Sequence, residues 1–331
     1  MKIVIDSAIP FLEGLFEPYA DVRYAVGREF TPDIIRDADA LIIRTRTKCD
    51  AALLEGSNVS HIATATIGYD HIDLDYCRER GIAVTTAAGC NARGVLQWIG
   101  AALVHLSRRE GWQPQERRIG VVGVGNVGRL IVEYCRAWGF DVVCCDPPRA
   151  LTEEGFVELD ELLGSCDIVS LHTPLDTTTY HLLNTQNIKL LKPHATIINT
   201  SRGECIESEA LLSNPDHKLL IDVWENEPKI DRKLLHRAVI STPHIAGYSI
   251  QGKANGSAIT AKSITEHFSL PIERSWYPAV MRNDGVQIEW EELTKTIAQH
   301  FDIEGESAQL KLLPEAFESL RNNYEYRNEY F

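Results

Sequence analysis

Positive charge is the first thing this 331-residue chain is short of. Lysine and arginine number 33 against 47 aspartates and glutamates, a formal net charge of −14, whereas a nucleic-acid binder would carry a basic footprint. Any anion site must therefore be local, built from a few placed cations and backbone N–H groups. Long apolar runs are missing too. The most apolar longer stretch, residues 95–106, is too short to span a bilayer and is interrupted by Gln97 and His105, so no membrane segment is expected. A charged start, an apolar stretch and a small-residue cleavage site, the marks of a secretory signal, are absent. Residues 1–6 read directly as a strand, and a cytoplasmic protein is the expectation. Metal-like cysteine spacing is also lacking. Of eight cysteines, Cys144 and Cys145 are adjacent, while Cys135 and Cys166 sit in apolar periodic segments. This favours reduced, buried thiols over disulfides, with no metal site expected. No repeat or low-complexity tract occurs. What remains is a globular composition, 44% hydrophobic and 24% charged, in a chain long enough for two or three domains.

Residues 1–92 alternate short apolar strands with helical segments. Strands are read at 3–5, 40–43 and 62–65. A helical stretch follows the first, the polar run Arg44-Thr45-Arg46-Thr47-Lys48 the second, and Thr66-Ile67-Gly68-Tyr69-Asp70 the third. A helix at 74–80 stops at Gly81, the glycine expected just past a helix end. Strands separated by helices imply βαβ units around a parallel sheet. From 93 to 109, Val95, Leu96, Ile99, Ala102, Leu103 and Leu106 follow helical spacing, a long amphipathic helix leading into a second alternation. Its strands are read at 119–123, 141–146, 167–172, 195–199, 218–223 and 239–242. Strands and helices alternating after a glycine-rich turn describe a doubly wound nucleotide-binding domain. Beyond residue 268 the pattern weakens. One helix is read at 314–322, and the end fits either a small element packed on a partner subunit or a frayed tail.

Gly123-Val124-Gly125-Asn126-Val127-Gly128 is G-x-G-x-x-G, with an apolar strand before it and a helix after it that ends at Gly139. The first glycine permits the tight turn, the second lets a pyrophosphate approach the backbone, and the third lets helix and strand pack closely. The helix N-terminus adds partial positive charge. Asp146 ends the next strand, where a carboxylate accepts hydrogen bonds from ribose hydroxyls and repels a 2′-phosphate. NAD is therefore expected over NADP.

Three later strands end in reactive residues, on the side of the sheet where open α/β folds place ligands. Asn199-Thr200-Ser201-Arg202-Gly203 follows one, Asp222-Val223-Trp224-Glu225-Asn226-Glu227-Pro228 the next, and Pro243-His244-Ile245-Ala246-Gly247-Tyr248 the last. Arg202 offers a planar fork for a carboxylate. His244 can exchange a hydroxyl proton, and Glu227 would orient the ring and favour its charged form. Singly, these read as a surface cation, a structural histidine and an exposed turn. Together, on successive loops of a sheet that holds NAD, they read as a catalytic set for hydride chemistry on a hydroxy acid.

The glycine fingerprint, Ser201-Arg202-Gly203, the Asp222…Glu227-Pro228 stretch and Pro243-His244 together resemble the D-isomer-specific 2-hydroxyacid dehydrogenases, over residues 1–265. The resemblance implies Arg202, Glu227 and His244 as the catalytic trio. It also implies an NAD-binding Rossmann domain (93–246) inserted in a discontinuous flavodoxin-like substrate domain (1–92 plus 247–265). Both are doubly wound parallel-sheet domains. A short C-terminal α+β dimerisation element (266–331) would make a homodimer. It adds Thr173, Thr200, Ser201, Asp222 and Gly247 to the cofactor shell formed by Gly123, Gly125, Asn126, Val127, Gly128 and Asp146. It adds Thr45, Thr66 and Tyr248 as substrate contacts, with Thr45 standing where relatives have serine. The stretches Gly89-Cys90-Asn91-Ala92 and His244–Tyr248 continuing to Gly252-Lys253-Ala254 narrow it to a branch acting on a phosphorylated hydroxy acid in vitamin B6 synthesis. If residues 44–48 are extended, Arg44, Arg46 and Lys48 point to one side and suit a phosphate; the alternative is a solvated charged loop. Phosphoglycerate or another 2-hydroxy acid as substrate, or a corepressor that senses NAD and recruits protein partners, are the other readings.

Overall fold

The computed structural model describes residues 1–331. The chain divides into two compact units, one of residues 1–91 and 249–282, the other of residues 92–248 and 283–331.

The first unit is a five-stranded parallel sheet, β1 (Lys2–Asp6), β2 (Asp21–Ala25), β3 (Ala40–Ile43), β4 (His61–Thr64) and β5 (Ala83–Thr86), in the order β2-β1-β3-β4-β5. The three inner strands are apolar on both faces, as a sheet covered by helices on both sides requires. The pleat splits them: Val4, Leu41, Ile43 and Ile62 pack with Ile35, Leu53 and Cys77. Ile3, Ile5, Ala40, Ile42 and Ala63 pack with Ala261 and Ile264. Those last two belong to the helix Ile250–Phe268, capped by Ser249, whose Oγ accepts from the Gly252 amide at 2.9 Å. A Cβ at Gly256 would lie 3.0 Å from the Ala65 carbonyl, so a glycine there lets this helix sit close to the end of β4. β2 and β5 are edge strands with half-exposed or exposed residues, and their polar sequences give no apolar run to mark them. The helical stretch expected after β1 does not form. Residues 7–20 are successive turns, broken by Pro10, Pro18 and Gly14, whose φ is +82°.

The second unit opens with the helix Ala92–Glu110 and carries β6 (Arg118–Val122), β7 (Asp141–Cys145), β8 (Ile168–Leu171), β9 (Thr196–Asn199), β10 (Lys218–Ile221) and β11 (Ile240–Ser241). All pairs are parallel, in the order β11-β10-β9-β8-β6-β7. The chain leaves β6 toward one edge and returns to build the other, so a topological switch point lies at β6 and β8. All eight cysteines are buried and unbonded, and burial pushes the Cys49 thiol up to about 12 and that of Cys145 to about 11.

The expected division at the C-terminus is corrected. Residues 266–282 stay with the first unit and 283–331 with the second, and the segment contains helices but no β-strand. Trp290, Leu293 and Ile297, at helical spacing, bury one face of the helix Trp290–His300 in the same core as Trp112, Trp138 and Phe140. Trp138 Nε1 donates to the Ile288 carbonyl at 2.9 Å, and Tyr134 OH to that of Val286 at 3.0 Å. Phe331 is fully buried against Tyr134 and Trp138. The tail is part of this core because its aromatic face has matching aromatics there. No helix is long and apolar enough to cross a membrane.

Candidate active site

At the end of β6 the chain turns through Gly123, φ +84°, into the helix Asn126–Trp138. A Cβ on Gly128 would lie 2.0 Å from the Gly123 carbonyl oxygen, whereas one on Gly125 would meet nothing within 4 Å. The turn is thus tight on its inner side and open beside Gly125, where a pyrophosphate needs unobstructed backbone. Asn126 is exposed and Val127 half-buried at the helix start. Asp146 accepts from the Val124 amide at 2.7 Å and from the Arg149 amide at 3.2 Å, which ties the ends of β6 and β7 together and leaves its remaining lone pairs for ribose hydroxyls. Arg149, a cation close to Asp146 that could take a 2′-phosphate, pairs with Glu153, donates to the Val124 carbonyl at 2.7 Å and lies over Phe156. This turn and its acidic partner fit NAD.

The loops after β9, β10 and β11 are cross-braced. Asn199, 1% exposed, accepts from the Ser201 amide and hydroxyl at 3.0 and 2.8 Å and donates to the Arg202 carbonyl at 2.8 Å. The half-buried Arg202 donates from Nη1 to the Ser201 carbonyl at 2.8 Å. Immediately after it, a Cβ on Gly203 would sit 1.9 Å from the Trp224 carbonyl carbon. Only glycine lets the Arg202 loop lie against the loop that carries Glu227. Asp222, also 1% exposed, accepts from Thr242 Oγ1 at 2.6 Å and from the amides of Ile245 and Ala246 at 2.8 and 3.0 Å. Through these bonds it braces the His244 loop.

His244 itself has φ +59°, and Asn226 φ +64°, a left-handed conformation that non-glycine residues hold when their surroundings over-determine it. The His244 amide donates to the Asp222 carbonyl at 2.8 Å, and its Nδ1 meets Glu227 Oε2 at 2.8 Å. Glu227 Oε1 accepts from the Trp224 amide at 2.8 Å. Burial alone would push the Glu227 carboxyl up, but the His244 ring, Arg321 and the Trp224 amide outweigh it and hold the group below the usual carboxylate range. An ionised Glu227 can only accept, so Nδ1 carries a proton, and in the neutral ring the lone pair is at Nε2. A ring held in this tautomer has the geometry that general-base chemistry requires.

Among the other expected residues, Thr173 is half-buried beside Gly123 with its hydroxyl 3.5 Å from Cys205 Sγ, and Thr200 Oγ1 lies 3.4 Å from His172 Nδ1. Burial pushes His172 down to about 3, so a neutral ring joins the ends of β8 and β9. Gly247 and Tyr248 are half-buried, and Tyr248 OH accepts from Arg321 Nε at 3.1 Å. In the first unit, residues 44–48 are not extended. Thr47 N donates to the Arg44 carbonyl at 3.2 Å, closing a turn, so the alternation of an extended run does not set where the three cations point. Arg44 Nε pairs with buried Asp6 at 3.0 Å and exposed Lys48 with Asp50 at 2.7 Å. Thr45 and Arg46 are half-buried on this turn, which Thr47 anchors by donating to the Gly27 carbonyl at 3.0 Å. Thr66 lies past the end of β4 with its hydroxyl 2.7 Å from that of Thr64.

Comparison with known proteins agrees with this geometry. Residues 95–246 match the family described as D-isomer specific 2-hydroxyacid dehydrogenase, NAD binding domain. The erythronate-4-phosphate dehydrogenase of Bacteroides fragilis is 44% identical over 99% of this chain and 97% of its own. That of Ectopseudomonas mendocina is 44% identical over 82% of this chain and 73% of its own. The chain belongs to the erythronate-4-phosphate dehydrogenase family of D-isomer-specific 2-hydroxyacid dehydrogenases. An NAD-bound 3-phosphoglycerate dehydrogenase of Entamoeba histolytica superposes with a TM-score of 0.71 at 25% identity, covering 86% of this chain and 99% of that one. Membership makes the chain an NAD-dependent D-2-hydroxyacid dehydrogenase with the two-sheet fold read from its sequence.

No local pattern in the sequence marks Arg321, which meets both Glu227 and Tyr248. The only usable signal was the Trp290-Leu293-Ile297 stripe, which places the tail against this unit.

Proposed function

We propose that the chain oxidises 4-phospho-D-erythronate to 2-oxo-3-hydroxy-4-phosphobutanoate, with NAD, in pyridoxal 5′-phosphate (vitamin B6) biosynthesis. The observation that carries this reading is the 2.8 Å His244–Glu227 pair on the strand ends of a sheet whose glycine turn fits NAD; the 44% identity with the Bacteroides fragilis enzyme supports the substrate. Bound on the glycine turn beside Asp146, NAD would supply the two-electron acceptor for the hydride at C2. His244 Nε2 accepts the C2 hydroxyl proton, and Glu227 stabilises the resulting imidazolium. Arg202 grips the substrate carboxylate and polarises the developing carbonyl. Gly123, Gly125, Asn126, Val127, Gly128 and Asp146 hold the cofactor, with Thr173, Thr200, Ser201, Asp222 and Gly247 around them. Thr45, Thr66, Tyr248, Arg44 and Arg46 are the proposed substrate contacts.

The test is NADH absorbance with purified protein, NAD and a panel of 4-phosphoerythronate, 3-phosphoglycerate and unphosphorylated 2-hydroxy acids, after bound cofactor is measured. Preferred turnover of phosphoerythronate is expected; preference for another acid reassigns the substrate. We further propose a cytoplasmic homodimer, for which light scattering of the purified chain gives the oligomeric state and cell fractionation the compartment.

A further inference from the structure

The helix Phe317–Asn322 carries Arg321, whose Nη1 lies 3.5 Å from Glu227 Oε2, the same oxygen that meets His244 Nδ1 at 2.8 Å. Its Nε donates to Tyr248 OH at 3.1 Å. One carboxylate oxygen thus stands between an imidazole and a guanidinium, with all three groups largely shielded from solvent. The same tail braces the His244 loop from behind. Arg327, 8% exposed, donates to the carbonyls of Ile245, Tyr248 and Gly94 at 3.1, 3.1 and 2.9 Å and to that of Ala246, with its guanidinium over Phe301.

A lone carboxylate beside an imidazole favours imidazolium. Oxidation of a hydroxy acid needs the neutral ring, ready to accept a proton. A guanidinium stays charged at every working pH, and set on the same oxygen it offsets the carboxylate without removing the hydrogen bond that fixes the tautomer. We infer that Arg321 is a positioning residue for the acid–base pair, holding Glu227 toward His244 and balancing its charge so that the ring is free to take the substrate proton. The inference deepens the proposed function and rests on the role given there to His244. The other titratable groups about the pair are Asp222, which interacts with both His244 and Arg321, and Tyr248, with Tyr324, Arg327 and Glu306 beyond them. Asp222 is buried with three donors, and the Nη atoms of Arg327 are directed to the carbonyls of Gly94, Ile245, Ala246 and Tyr248 and to Tyr324 OH, so Arg321 is the cation placed to balance Glu227.

The test compares wild type, Arg321→Gln and Arg321→Lys as full chains, in kcat/KM against pH for hydroxy-acid oxidation and in a ring-nitrogen NMR titration of His244 without cofactor. For Arg321→Gln, the acid limb and the imidazole titration move to higher pH by about one unit, with a roughly tenfold loss at neutral pH that higher pH recovers. KM for NAD is unchanged. Arg321→Lys keeps the charge and leaves both near wild type. An unmoved limb and titration in Arg321→Gln, or a loss equal at every pH, overturns the inference. If Arg321→Gln does not fold, Arg321→Lys decides: an unmoved titration supports the inference, and one displaced by about a unit overturns it. Wild type that turns over no phosphoerythronate defeats the proposed substrate alone, because the NMR titration needs no substrate.

Discussion

The loops leaving the C-terminal ends of the two parallel sheets hold their charges in different ways. After β9, β10 and β11, buried Asn199 ties together its own loop and buried Asp222 links to the His244 loop, Gly203 removes a side chain so that two loops touch, and His244, Glu227 and Arg321 are fixed by one another. After β3 the basic turn is short, Arg44 pairs with Asp6 and Lys48 with Asp50, and Thr45 on this turn and Thr66 past β4 are half-buried. Proton transfer tolerates little error in heavy-atom distance, so its groups are built into a buried network. Anion attraction acts over longer range and is shaped by net local charge, which a turn can supply.

That contrast can be broken at its strongest point first. His244→Ala should lower kcat by about 10³-fold while NAD affinity, measured by fluorescence titration, stays nearly constant; retained turnover would remove His244 from the acid–base role. Gly203→Ala places a Cβ 1.9 Å from the Trp224 carbonyl carbon. It should destabilise the chain by about 2 kcal/mol in urea unfolding, by forced backbone movement, and lower kcat with it. An alanine variant with wild-type stability would show that the two loops do not need that close approach. Asp146→Ala should weaken NAD roughly tenfold, as loss of a charge-assisted hydrogen bond implies, and improve use of NADP; an unchanged preference counts against ribose recognition. On the other side of the comparison, Arg46→Ala should raise KM severalfold for the phosphorylated acid and much less for an unphosphorylated one. Equal rises would exclude a phosphate contact. Smallest of all, Lys48→Ala should leave kcat, KM and thermal stability at wild-type values, since its exposed ion pair with Asp50 is screened by water and salt.

Much of the second sheet was legible because each of its strands is a short apolar run ended by a turn, and the glycine fingerprint states a backbone requirement directly. Asp146, Arg202, Glu227 and His244 could be picked out because they stand just past strand ends, where an open sheet binds ligands. The edge strands β2 and β5 were not legible, since an edge buries too little to need an apolar run. The residues at 44–47 do not by themselves choose between an extended run and a charged loop, because charge alternation has no preferred backbone of its own. Asp222 was visible as a residue and not as a brace, because its partners Thr242, Ile245 and Ala246 come from a different loop.

By itself the sequence determined two parallel sheets, the cofactor turn and the kind of chemistry, since these follow from local periodicity, glycine placement and residue type. Tertiary structure alone decided which charge faces which: that the tail joins the second core, that Arg321 reaches Glu227, and that Asp6 takes up Arg44. These pairings depend on contacts between segments far apart in the chain, 73 residues in the case of Arg321 and Tyr248. Only chain packing brings such partners together, and no local pattern encodes the distance between them.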